Sequence, residues 1–264
     1  MTSRTIVAAI VAAGGLGSAL WLGVLMGREQ PRAGDSLALD PTGFVEPARN
    51  SPAPPEIPDP PALPPHAETL PPLTFRIVTA ATDDAPATPA GATVRSSQRV
   101  ARTRDRVWLA SDNIEKEWLF RRNPVDPRRV SGYLTDHATK TILVYDETDL
   151  RITQGLRGWL DVVTMRIDPA QVDALPAGQG SAHVAGWSFM HHAATAPDAP
   201  LEEIWWSDEL LLPQRFVLHE SGRRVTSTIE QLTTGVDDGM LRDPDERFPD
   251  YRMLELADAR ESMH

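Results

Sequence analysis

The chain has 264 residues, with 26 Lys+Arg against 37 Asp+Glu, a formal charge of -11, 24 prolines and no cysteine. That length accommodates one medium domain with extensions, or two small domains at most. The negative balance argues against nucleic acid as a partner, and the missing cysteine excludes disulfides, thiolate metal sites, a cysteine nucleophile and a lipid-bearing cysteine.

The first 27 residues read as a membrane anchor. Residues 5–27 carry no charge and include Ile6, Val7, Ile10, Val11, Leu16, Leu20, Trp21, Leu22, Val24, Leu25 and Met26. At about 1.5 Å per residue, a helix of this length covers the roughly 30 Å of bilayer hydrocarbon. A secretory signal has a shorter apolar region and a small-x-small cleavage site, and no good site follows here, so an uncleaved anchor is favoured over a removed signal. Arg4 precedes the span and Arg28 and Arg32 follow it, so positive charge is nearly balanced across it. A short leading tail before a long polar region puts the C-terminal part on the exported side. Gly17, Gly23 and Gly27 take part in four-residue spacings of small residues, which let a second membrane helix approach closely. Small residues are also simply common in such helices.

Residues 28–73 read as a linker. Between 51 and 72 there are 10 prolines in 22 residues. Proline fixes φ and removes the amide donor, so this tract runs as a polyproline II spacer of roughly 70 Å. Residues 74–264 are then the folded domain.

That domain reads as mainly β (α+β). Strands are expected over residues 75–80, 93–103, 106–110, 117–121, 130–135 and 141–145, separated by Asp/Asn/Pro/Gly turns in the pattern of an antiparallel meander. One amphipathic helix follows, with Ile152, Leu156, Trp159, Leu160 and Val163 on one face and Thr148 and Asp149 as N-cap candidates. Gly155 and Gly158 weaken it in isolation, so it depends on packing against a sheet. Strands resume over residues 183–191, where Ala185, Trp187 and Phe189 share a face, and over 202–206, 214–219 and 224–234. A hairpin turn is expected at residues 220–222, and a short helix over 252–260.

Three segments in order resemble the lipoprotein-carrier superfamily, the LolA/LolB-like proteins. The first is Val184-Ala185-Gly186-Trp187. The second is Glu203-Ile204-Trp205-Trp206-Ser207-Asp208-Glu209-Leu210-Leu211-Leu212-Pro213-Gln214-Arg215-Phe216. The third is Asp243-Pro244-Asp245-Glu246-Arg247-Phe248-Pro249-Asp250-Tyr251, with Asp250 where glycine is usual. The resemblance implies a strongly curved antiparallel sheet, an unclosed half-barrel, with one or more helices on its concave side. It also implies a concavity that holds acyl chains. Two departures stand out: there is no lipobox cysteine, and a fixed anchor would prevent shuttling.

Candidate chemistry is sparse. Trp108, Trp118, Phe120, Trp159, Trp187, Trp205 and Phe216 could line an apolar cavity, or they could fill an ordinary sheet–helix core. His183, His191 and His192 lie too far apart or on opposite faces for one metal ion. Neighbouring acidic pairs such as Asp208-Glu209 read as surface charge, and no nucleophile-elbow, zinc-helix, P-loop or dinucleotide motif is present. No catalytic residue, metal or cofactor is therefore assigned. Charge is uneven: Arg95, Arg99, Arg102, Arg104, Arg106, Arg121, Arg122, Arg128 and Arg129 form a basic section, while residues 237–261 hold nine acidic residues against four arginines. The basic section is either a solvated strand face or a contact for anionic headgroups or an acidic partner.

The sequence thus points to a non-enzymatic, membrane-anchored exported domain binding a lipid or acylated ligand. The alternative is an accessory or assembly subunit of an inner-membrane complex, docked on an integral-membrane protein through its helix and β-surface.

Overall fold

A computed structural model describes residues 59–83, 94–196, 199–220 and 223–261. The expected anchor, with Gly17, Gly23 and Gly27, lies outside these residues, as do most of the linker and the turn at 221–222. Among the described residues no helix is long and apolar enough to cross a membrane.

The described residues form one open sheet of twelve strands. In chain order they are β1 (Leu73–Asp83), β2 (Val94–Arg102), β3 (Arg106–Ser111), β4 (Lys116–Arg122), β5 (Val130–Asp136), β6 (Thr141–Tyr145), β7 (Ala177–Val184), β8 (Trp187–Ala193), β9 (Leu201–Ser207), β10 (Leu212–Glu220), β11 (Arg223–Thr234) and β12 (Arg252–Glu255). Their spatial order is β12-β6-β5-β4-β3-β2-β1-β11-β10-β9-β8-β7. Every pair is antiparallel except β12 beside β6. The sheet is curved and does not close. Extra residues in single strands contribute bends, because a bulge turns the strand that carries it. One lies where Thr74–Arg76 oppose β11, with Gln231 at φ 56, and two more lie between β9 and β10, around Pro213 and Val217.

Five short helices accompany the sheet among the described residues: α1 (Glu147–Gln154), α2 (Trp159–Val163), α3 (Pro169–Asp173), α4 (Pro244–Arg247) and α5 (Leu256–Glu261). The single helix expected across residues 152–163 is two. Asp146 caps α1 in a reciprocal box with Asp149. Gly155, at φ 65, then ends the helix in a left-handed cap, its N–H bonding the Arg151 carbonyl. Gly158 lets the chain pass against β5, where a Cβ would sit 2.5 Å from the Arg128 carbonyl and where the Trp159 N–H donates to that same oxygen at 2.7 Å. Ile152 consequently points to solvent, whereas Leu156, Trp159, Leu160 and Val163 are buried.

Two other expectations are corrected. Residues 183–191 are not one strand: Ala185 and Gly186 both have positive φ, 53° and 85°, and turn β7 into β8 as a two-residue hairpin. Ala185 is therefore a turn residue and does not share a face with Trp187 and Phe189. The expected helix over 252–260 is split, because residues 252–255 add to the sheet edge as β12 and only then does α5 begin.

Alternation along the strands gives the sheet two unlike faces. The concave face presents Phe75, Ile77, Val100, Val107, Leu109, Trp118, Phe120, Phe216 and Ile229. It packs in one cluster with Leu150, Leu156, Trp159, Leu160 and Val163 of the α1–α2 region. The packed body begins before Thr74: Ala67 and Leu70, in and after a 3-10 turn at Pro65–Thr69, belong to the same cluster, and Glu68 pairs with Arg122. The convex face carries a smaller cluster of Ala101, Trp108, Ala110 and Leu119. It is covered by a strap, residues 235–251, that leaves β11 in mid-sheet and crosses to β12 at the edge. Leu241 of the strap is buried in this cluster, and Met240 and Val236 pack on it.

Charge fixes the strap. Arg106 and Arg121 lie directly opposite each other on β3 and β4, an arrangement that repels unless neutralised. Asp243 does so with both oxygens, at 3.1 Å from Arg106 Nη1 and 3.0 Å from Arg121 Nη1. Arg247 of α4 pairs with the buried Glu117 at 2.5 Å, and Glu117 also accepts from Trp108 Nε1 at 2.9 Å. This part of the basic section meets the acidic C-terminal stretch of its own chain.

Asp243→Ala should lower stability by about 1–2 kcal/mol, a partly exposed network contact, and Leu241→Ala by about 2–4 kcal/mol through cavity formation. Urea unfolding measures both, and wild-type stability in the two variants would mean that the strap is not part of the cooperative unit. A second prediction concerns Glu202, whose carboxyl is held down at about 2, first by the Arg224 guanidinium and then by His219. A lowered carboxyl stabilises the fold above its unfolded value near 4.3 and loses that contribution as pH falls towards 2. Glu202→Gln should therefore lower the melting temperature at pH 6, with the gap to wild type closing by pH 2.

Candidate functional site: an apolar sheet face beneath two short helices

The concave face between sheet and plug gathers several of the aromatics singled out in the sequence. Trp118 and Phe120 stack in parallel, with centroids 5.2 Å apart, and Tyr145 of β6 leans on Trp118 at 5.0 Å. Both strand aromatics lie on the concave side because they alternate with Glu117, Leu119 and Arg121 on the other side. Trp159 opens α2 directly above this face and is fully buried at 0% exposure. Phe216 of β10 is in the same cluster.

The other candidates sit elsewhere. Trp108 belongs to the convex cluster under the strap, on the opposite face from Trp118, because β3 turns Val107 and Leu109 inward. Trp205 and Trp187 are partly buried and pack at the margin of the main cluster. Trp205 stacks on His191 with centroids 4.7 Å apart, on the face it shares with Glu203, to which its Nε1 donates at 3.0 Å.

Two residues on this side of the sheet were missed. Trp206 is buried in the main cluster, in step with Ile204. Strand alternation permits only one of Trp205 and Trp206 to point inward, and the apolar residue two before Trp206 was the available signal. Arg102 was taken with the surface arginines. Instead β2 ends there, residues 103–105 turn, and Arg102 points into the concave side with 1% exposure while Arg106 faces outward. Its Nη1 donates to the Val163 carbonyl at the end of α2 and its Nη2 to the Leu210 carbonyl in the β9–β10 turn, both at 2.8 Å. Burial lowers this guanidinium to about 9, which leaves it charged at neutral pH. It therefore ties the plug and the β9–β10 turn to mid-sheet.

The plug is held by few such ties. Two helices of eight and five residues, split by Gly155 to Gly158, are too short to persist alone. They stay in place by burying Leu150, Leu156, Trp159, Leu160 and Val163, and through the carbonyl contacts of Arg102 and the Trp159 N–H. Arg157 clamps α2 internally, its guanidinium forked on the buried Asp161 at 2.7 Å.

No protein-family model matches the chain, and no curated protein matches it. Solved structures do. A DUF1329 family protein from Desulfovibrio piger is similar at 10% identity over 67% of this chain and 91% of that one, with a TM-score of 0.33. The complex of MucA and MucB from Pseudomonas aeruginosa gives 14% identity over 69% of this chain and 58% of that one, with a TM-score of 0.37, so the chain spans little more than half of that relative. A LolA superfamily protein from Nitrosomonas europaea gives 8% identity over 69% and 94%, with a TM-score of 0.30. The chain itself folds as an open, curved sheet with helices on one face, the architecture that the sequence resemblance implied.

Trp159→Ala should cost about 3–5 kcal/mol, the range for emptying an aromatic core site. A loss below 1 kcal/mol in urea unfolding would show that the plug contributes little to the folded state and is already loose.

Proposed function

We propose that this protein is a non-enzymatic, membrane-anchored exported domain that takes a lipid or the acyl part of an acylated molecule between its sheet and its plug. The observation that carries the reading is the pairing of a wide apolar concave face, centred on Trp118, Phe120 and Trp159, with a cover made of two short helices joined through glycines. A cover with so little helical stability of its own can leave the face at modest cost once an acyl chain replaces the surface it buries. Each methylene of such a chain gains about 0.8 kcal/mol on burial, so a dozen suffice to offset several lost side-chain contacts. The anchor read at residues 1–27 and the proline-rich spacer support a domain held outside the membrane with its hollow within reach of lipid.

The test is extraction. Residues 59–261, purified from cells without detergent, should yield acyl lipid to organic solvent and mass spectrometry at a substantial fraction of one per chain. Trp118→Asp, which puts a charge on the hollow's wall, should reduce that yield severalfold. Lipid-free wild-type protein that also fails to take up a fluorescent acyl probe would refute the proposal.

A further inference from the structure

Buried arginines are nearly always paired with an acid. Arg102 is not. Among the described residues no carboxylate forms an ion pair with it, its buried Nε has no hydrogen-bond partner, and desolvation alone accounts for its lowered proton affinity.

The other arginines of the chain indicate what this geometry suits. Arg157, Arg224 and Arg128 each grip a carboxylate with the edge formed by Nε and Nη2. Arg157 does so on Asp161, at 3.1 and 2.7 Å, and Arg224 on Glu202, at 2.9 and 2.8 Å. Arg128 does so on Asp126, at 3.1 Å from both nitrogens. Arg102 presents the same edge inside the hollow, with Nε bare and Nη2 resting on a neutral carbonyl, that of Leu210. Strand pairing sets it in a row with Leu73 on one side and Val107, then Phe120, on the other. The indole N–H groups of Trp118 and Trp159 are buried without acceptors as well. A hollow filled only by hydrocarbon would leave all of these unmet, at a cost for each.

We infer that the hollow is built for an acyl chain that ends in a carboxylate, a long-chain fatty acid, whose head takes the Nε/Nη2 edge of Arg102. The carboxylate displaces the Leu210 carbonyl, satisfies Nε and neutralises the buried charge. Nη1 keeps the Val163 carbonyl and so keeps α2 near the bound head. The indole N–H groups of Trp118 and Trp159 are additional donors for the carboxylate oxygens.

This inference rests on the proposed hollow, and the experiment separates the two. The full chain, reconstituted in phosphatidylcholine vesicles, is exposed to a diazirine-bearing palmitic acid or to its methyl ester at equal mole fraction in the lipid. Crosslinked peptides are located by mass spectrometry. Labelling on β2, β4 and α2 should favour the acid by about tenfold or more, the worth of a charge-assisted bidentate contact. Arg102→Met should bring the acid down to the ester's level, and Arg102→Lys should keep part of the preference. Equal labelling of the hollow by acid and ester in the wild type would overturn the carboxylate assignment while leaving an acyl hollow in place. Absence of both labels from those elements would overturn the hollow itself. The wild-type comparison decides even if Arg102→Met does not fold.

Discussion

An open sheet has two faces, and an apolar one must be covered. A closed barrel hides its inner face by curling on itself, but this sheet stops at β7 on one edge and β12 on the other. Its concave face is apolar enough to demand cover, and the burial of Trp118, Phe120, Phe216 and Ile229 under α1 and α2 is the interaction on which the remainder depends. Without it the short helices have no reason to form, the turn around Leu210 loses its anchor, and an aromatic surface lies open to water. The functional proposal starts from the same face.

The convex face is covered by different means. Its central rows set Arg106 against Arg121 and place a carboxylate, Glu117, beneath the surface. Neither is tolerable alone. The strap resolves both, bringing Asp243 between the two guanidinium groups and Arg247 onto Glu117. An acidic chain thereby spends part of its excess charge on itself. This contrast sharpens the position of Arg102, the buried cation on the opposite face for which the described chain supplies carbonyl oxygens and no acid.

Much of this was legible in residue order, and the failures have specific causes. Strands β3 to β6 and β9 to β11 followed from alternation and turn residues because each is bounded by groups that cannot continue a ladder. The helix near residue 155 was read as one because its apolar residues keep a helical period across the break. The chain reaches similar positions by stopping at Gly155 and restarting at Trp159, against the Arg128 carbonyl. The β7–β8 hairpin was hidden because Ala185, an ordinary strand residue, adopts positive φ there. Strand β12 could not be seen locally, since its pairing with β6 spans more than a hundred residues.

Sequence alone determined that the chain is strand-rich, that prolines crowd residues 51–72, and that Trp118 and Phe120 share a face. These are properties of neighbouring residues, set by charge, by φ restriction and by the two-residue strand period. Tertiary structure decided the rest: that Trp206 and not Trp205 points inward, that Trp108 lies beneath the strap, that the acidic tail neutralises arginines on β3 and β4, and that Arg102 is buried against the Val163 and Leu210 carbonyls. Each of those depends on where a strand ends and which face it then offers to a distant segment. That choice is made by the register of the whole sheet, and no local pattern encodes it.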